Sequence, residues 1–372
     1  MCQSVLLHNL ILQMHKLGPA TLLFFCLLLG CTSDPGNIPH EGSAPPQTEI
    51  PFTQHFAAVD TIQLEADPLI GEIRAMDVNE AGDFLISDWR AQEMYLFSPD
   101  GTHRRTLDPE PCHPGFNWSP IRAQFAPDGS IVVANNGPGG YQFEPNGQCR
   151  APMHDTYSAS FFFTFDQDGA MYGLYNYPDE YFIRKMTSEG EEIDTFGHDG
   201  DFAAVAQRWR VGGLVSDHNE NVYLALPHSP HLHVYSTSGT LVRTVGHQPS
   251  YFEPMSEDIA DHTGSPQAIM DAVEDLLATS SSTSKVFRLD ENAFLIEYNN
   301  SYMDSSDRTR GLTVIDTMGT PLVEGEIRFG SDIRLRAAHN GLLYALAESG
   351  TQSGTLNPKI VTYRFIPSDQ DL

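Results

Sequence analysis

The feature that most constrains this chain is that it repeats itself. Three segments show the repeat plainly: Met76-Asp77-Val78-Asn79-Glu80-Ala81-Gly82-Asp83-Phe84-Leu85-Ile86, Gln124-Phe125-Ala126-Pro127-Asp128-Gly129-Ser130-Ile131-Val132, and Thr164-Phe165-Asp166-Gln167-Asp168-Gly169-Ala170-Met171-Tyr172. Each is an apolar run, a tight acidic turn with glycine, and a second apolar run. Weaker copies centre on Glu220, Glu291 and Asn340, which makes six. Most copies are followed by a third run closing on another glycine, at Gly101, Gly190, Gly239 and Gly319, and then by a fourth. Asp-Gly and Ser-Gly pairs between alternating runs are hairpin chemistry, because glycine supplies the positive φ those turns need. A four-stranded unit recurring about every fifty residues must stack against its neighbours to bury its faces, which describes the blade of a β-propeller.

The turn positions lie 47, 40, 51, 71 and 49 residues apart. The long gap holds Ser265-Pro266-Gln267-Ala268-Ile269 through Ala278, with Ser as N-cap, Pro in the first turn, and Ile269, Val273, Leu276 and Leu277 on one face. That pattern predicts an amphipathic helix inserted at about 255–280, packed on a propeller edge or acting as a lid. The last copy has one further strand, Ile360–Phe365, and lacks an outer partner; the orphan strand Val59–Leu64 can fill that slot and close the ring. The expected fold is therefore all-β: a six-bladed β-propeller over 57–367, closed by N- and C-terminal strands in one blade, with a tail at 368–372.

Ahead of it, residues 1–30 contain no Asp or Glu and end in an apolar run too short to span a bilayer comfortably. The run closes on Leu28-Leu29-Gly30-Cys31, which resembles the lipobox of bacterial lipoproteins, where the cysteine is lipidated and becomes the new N-terminus. The resemblance implies a signal peptide at 1–30, lipidation of Cys31 and a cell-envelope address; Thr32 in place of Asp implies the outer membrane. Residues 31–56, rich in Pro, Gly, Ser and Thr, read as a flexible tether. Cys2 and Cys26 would leave with the signal, so Cys112 and Cys149 remain, and an oxidising compartment favours a disulfide between them over two free thiols.

The Asp-x-x-Gly turns, with a third strand ending in Ser/Asp-x-x-Gly, are similar to NHL-type repeats and to the six-bladed propeller lipoproteins of Bacteroidetes-like bacteria, over nearly all of the mature chain. That fold carries binding scaffolds, lyases and lactonases alike. No Gly-x-Ser-x-Gly elbow, phosphate loop or dinucleotide fingerprint is present. With 49 Asp+Glu against 21 Lys+Arg and a formal charge of -28, a phosphate-tracking nucleic-acid binder is excluded.

Two sets of residues are candidates for one mouth of the central channel. The first is a polar rim after the second strands: Asp88, Trp89, Asn135, Asn176, His228, Asn299 and Glu348. Such a rim suits a saccharide or peptide, or Ca²⁺ through carboxylate and amide oxygens, although Asn and Asp are also ordinary turn residues. By resemblance to lactonases of the gluconolactonase type, the acidic and amide members would be the pool for a divalent metal; no zinc-type histidine motif is present. The second set is cationic: Arg74, Arg122 and Arg334 recur 8, 7 and 7 residues before the turn glycines Gly82, Gly129 and Gly341, with Arg210 and Lys285 near the equivalent place. They either converge on an anionic ligand or bridge neighbouring blades. The favoured expectation is a lipid-anchored module binding a ligand or a protein at its channel mouth, without a firmly implied cofactor; a metal-dependent hydrolase is the alternative.

Overall fold

The computed structural model describes residues 49–65, 67–115, 118–136, 139–153, 162–174, 183–197, 212–217, 221–254, 280–299, 310–323, 325–330, 333–347 and 359–367. Cys31 and the signal segment, Asn176, Arg210, Glu348 and the helix expected at Ser265–Ala278 lie outside them.

The described chain starts with strand β1 (Glu49–Pro51), one turn of helix α1 (Phe52–His55) and strand β2 (Phe56–Gln63). Blade 1 follows as β3 (Ile73–Val78), β4 (Phe84–Asp88), β5 (Glu93–Phe97) and β6 (His103–Thr106). Blade 2 is β7 (Pro120–Phe125), β8 (Ile131–Asn135), β9 (Gly140–Phe143) and β10 (Cys149–Pro152). Blade 3 is β11 (Phe163–Phe165), β12 (Met171–Leu174), β13 (Ile183–Met186) and β14 (Glu192–Phe196). Blade 4 is β15 (Gly213–Ser216), β16 (Asn221–Ala225), β17 (Leu232–Ser236) and β18 (Leu241–Val245). Blade 5 is β19 (Ser282–Arg288), β20 (Ala293–Asn299), β21 (Arg310–Asp316) and β22 (Glu326–Phe329). Blade 6 is β23 (Ile333–His339), β24 (Leu342–Ala347) and β25 (Lys359–Phe365), completed on its outer edge by β2. The protein is thus a six-bladed β-propeller with its ring closed by the two ends of the chain.

The turns form as their residues dictate. Gly82, Gly129 and Gly169 have φ between 81° and 84°, and their N–H groups donate to Asn79 O, Ala126 O and Asp166 O. Blade 6 uses Asn340-Gly341, both at positive φ, as a two-residue hairpin. At Gly101 (φ 85°) a Cβ would run into the backbone carbonyl of Gln63, so the blade 1 turn can seat on the closing strand only as glycine.

Second strands are buried on both faces, as β4 and β8 are throughout, because each blade is sandwiched between two others. Outer strands such as β6 and β14 are largely exposed. The core is divided among the seams between blades. Tyr344, Leu346 and Ile360 of blade 6 pack with Ile73, Phe84 and Ile86 of blade 1, and Leu85, Met94 and Leu96 of blade 1 pack with Ile131 and Val133 of blade 2. The same pattern continues around the circle through blades 3, 4 and 5.

Two features differ from expectation at the N-terminal boundary. The chain joins the propeller before residue 56: β1 adds in parallel to the outer edge of β22, making blade 5 five-stranded, and Ile50, Phe52 and Phe56 are buried. Phe52 stacks on Phe56 with centroids 4.6 Å apart and meets Phe329 of blade 5 and Tyr363 of blade 6. One short segment therefore clasps two blades. The expected disulfide is present: Cys112 and Cys149 are bonded with Cα atoms 6.0 Å apart, tying the blade 1–blade 2 connection to β10.

Candidate functional site: a charge-polarised central channel

The six inner strands run in the same direction around an axial channel of about 1310 Å³ lined by residues of every blade. In four blades the inner strand carries a bulge against its partner, at Arg74, Ile121, Ser284 and Arg336. An extra residue bends the strand and re-aims the side chains beside it. This is how polar side chains reach the axis of strands whose regular positions face the seams.

Charge divides along the channel. From the mouth where the inner strands begin to their midpoints, the lining cations among the described residues are Arg74, Arg122, Lys285, Arg310 and Arg336, and the lining carboxylate among them is Glu297. Toward the far mouth the lining carboxylates are Asp77, Glu80, Asp128, Asp166 and Asp217, against Arg288 and His339. Several far-end acids have structural partners: Asp166 accepts from Ala170 N–H and Tyr172 OH, and Asp217 from Asn221 N–H and Tyr223 OH. A protein of net charge -28 thus gathers five of its cations in one half of its channel.

The cations are held differently. The Arg74 guanidinium lies 3.9 Å from the centroid of the Trp89 ring, and that of Arg122 lies 5.2 Å from the Phe162 ring. Burial pushes the Asp77 carboxyl up, opposed by the hydrogen bond from Phe125 N–H and by the Arg122 charge. Glu297, 2% exposed, sits between Lys285 Nζ at 3.5 Å and Arg310 Nη1 at 3.7 Å. Lys285 also donates to Leu335 O at 2.8 Å and Arg310 to Ile333 O at 3.3 Å, so both link blade 5 to blade 6.

Of the expected cationic set, Arg74, Arg122 and Lys285 line the channel and Arg334 does not. The bulge in β23 gives that place to Arg336, which simple alternation puts on the same face as Arg334. Of the expected polar rim, Asn299 lines the channel, whereas Asp88 and Asn135 serve the backbone. The fully buried Asp88 carboxylate accepts from the N–H groups of Gly71, Glu72, Arg90 and Ala91 at 2.6–3.2 Å, and Asn135 Oδ1 accepts from Ser119 N–H at 2.6 Å. Trp89 acts as the platform under Arg74, and His228 is half-buried in the β16–β17 connection, away from the channel lining. Among the described residues no group of three or more His, Cys, Asp or Glu side chains is placed to hold a metal. Sequence reasoning missed Arg310, Arg336 and Glu297; the one available signal was the pairing of Glu297 with Lys285 across a hairpin.

No family model and no curated protein sequence matches the chain significantly. Among solved structures it is similar to a protein of Bacteroides fragilis described as exported, at 10% identity and a TM-score of 0.63 over 86% of this chain and 98% of that one. It is similar as well to a member of the DUF4221 family from Bacteroides vulgatus, at 11% identity and a TM-score of 0.61 over 84% and 98%. At such identities the likeness is one of fold.

Proposed function

We propose that this chain is a lipid-anchored, NHL-like propeller of the bacterial cell envelope that draws a carboxylate- or phosphate-bearing ligand into the cationic half of its channel. The observation that carries the reading is the segregation of Arg74, Arg122, Lys285, Arg310 and Arg336 at one end of the channel, where Glu297 is the lining carboxylate among the described residues. At short range a converging guanidinium set outweighs the field of a distant acidic surface. The rings of Trp89 and Phe162 behind two of these cations offer apolar faces suited to a saccharide or a peptide that carries the anion. The envelope address is supported by the Leu28-Leu29-Gly30-Cys31 pattern, the Cys112–Cys149 disulfide and the export assigned to the B. fragilis protein.

Calorimetric titration of the mature protein with inorganic phosphate and a short dicarboxylate at low salt tests the binding. Substituting Arg74, Arg122 and Arg336 together by Gln is expected to weaken binding by at least about tenfold, the worth of one lost charge-assisted contact, in a variant that still unfolds cooperatively. Unaltered binding, or collapse of the fold, overturns the reading. Cys31→Ser is expected to move the protein from the membrane to the soluble fraction; continued membrane association contradicts the anchor.

A further inference from the structure

The chain has four lysines, Lys16, Lys185, Lys285 and Lys359, against seventeen arginines. Lys16 lies in the segment expected to be cleaved. Lys185 Nζ donates to Thr237 O at 3.0 Å, and Lys359 is exposed at the start of β25. Among the described residues Lys285 is the one lysine lining the channel, at a depth where the other lining cations are arginines. For holding an anion, or for bridging blades through a carbonyl, guanidinium is the better group: it is planar, forked and permanently charged. What it cannot do is give up its proton and act as a nucleophile.

The surroundings of Lys285 suit that second role. Its side chain is 28% exposed, so it is open to the cavity, while its Nζ touches the almost fully buried Glu297 carboxylate. The charged groups facing it are Glu297 from β20, Arg310 from β21 and Arg336 from β23. Burial, aided by the two arginines and opposed by Glu297, brings the amine down to about 8 from an ordinary 10.5. A desolvated lysine beside other cations is the arrangement in which an amine becomes reactive near neutral pH.

We propose that Lys285 is a reactive amine that forms an imine with a small carbonyl acid, a 2-oxo acid or an aldehydic acid, whose carboxylate is drawn in by Arg336 and Arg310. The inference rests on the anion-binding reading for the carboxylate and goes beyond it in the covalent step. The neutral Nζ lone pair attacks the carbonyl carbon as the C=O π pair moves to oxygen, giving a carbinolamine. Glu297 relays one proton from the attacking nitrogen to that oxygen, completing the carbinolamine, and then the second from the nitrogen to the hydroxyl, which leaves as water. The balance is amine plus carbonyl to imine plus water, with no change of oxidation state.

Reductive trapping of the mature protein with glyoxylate and cyanoborohydride tests this, read as carboxymethylation at each lysine by peptide mapping. Lys285 is expected to react on the order of tenfold faster than Lys185 or Lys359, its rate rising through pH 8. Glyoxylate should outpace glycolaldehyde, which has the same carbonyl and no charge. Lys285→Arg keeps the charge and the link to Leu335; it should retain the melting transition and lose the fast adduct. If that variant does not fold, the pH profile at Lys285 in the native protein decides. Equal labelling of the three lysines, or an inflection at an ordinary lysine's pH, overturns the reactive amine. Phosphate binding measured without reductant reports the anion site separately: binding without selective labelling overturns the imine and leaves that site standing. Selective labelling with glycolaldehyde as fast as glyoxylate overturns the acid as partner.

Discussion

Asp88→Asn separates a ligand residue from a residue that builds the fold. The carboxylate is fully buried and receives four backbone N–H groups: Gly71 donates to Oδ2 at 2.6 Å, and Glu72, Arg90 and Ala91 donate to Oδ1 at 3.1, 2.8 and 3.2 Å. An asparagine whose oxygen takes the Oδ1 place still serves three donors without charge assistance. Its amide nitrogen then faces the Gly71 N–H, donor against donor. One orphaned buried donor costs about 1–3 kcal/mol, and weakening three charge-assisted bonds adds to this, for a total of about 3 kcal/mol. In a domain of this size that lowers the melting temperature by about 5 °C. Asp88→Ala, which strands all four donors, is expected to cost about 5 kcal/mol. Scanning calorimetry gives the stability and phosphate titration the binding. A variant as stable as the parent that no longer binds phosphate would refute the structural assignment and return Asp88 to the ligand set.

Other outcomes follow from the clasp, the disulfide and the channel lysine. Phe56→Ala removes a fully buried ring that stacks on Phe52 and packs against Phe365, and is expected to cost about 4 kcal/mol in chemical denaturation; a change below about 1 kcal/mol would mean that the N-terminal segment does not close the ring. Replacing Cys112 and Cys149 by Ser opens a loop with a sequence separation of 37 and should cost about 4 kcal/mol, and unfolded, unreduced wild-type protein should show no reactive thiol from this pair. Between pH 8 and 10.5 the unfolded chain holds the Lys285 proton more tightly than the folded one, so this group's contribution to stability rises with pH across that window. The wild-type minus Lys285→Met difference should climb by about 2 kcal/mol there, allowing for partial exposure; a flat or falling difference contradicts the placement of its amine.

The fold was legible because its periodicity is written in residues with narrow conformational uses. Asp-Gly and Asn-Gly turns mark hairpins wherever they stand between apolar runs, and the strand foreseen at Val59–Leu64 is found as β2, closing blade 6. The β1 clasp was hidden: a three-residue parallel ladder next to Pro51 has no alternation to read, and its apolar residues sit in a stretch that resembles a tether. In the channel, the recurrent spacing of Arg74 and Arg122 was informative, but the choice between Arg334 and Arg336 was made by a one-residue bulge, which depends on pairing with β24 and leaves no local signature. Asp88 and Asn135 stood out correctly as special polar residues at strand ends. Their role could not be read, because a carboxylate that caps a loop and one that binds a ligand have the same sequence surroundings, and only the Gly71, Glu72, Arg90 and Ser119 N–H groups decide between them.

The channel's polarity can be seen directly by anomalous diffraction from crystals soaked in bromide, a mobile anion with no preference for any particular ligand shape. Bromide peaks are predicted between Arg74, Arg122 and Arg336 in the first half of the channel and not beside Glu80, Asp128 and Asp217 at the far mouth. Peaks spread equally over both ends, or confined to the outer surface, would contradict the account.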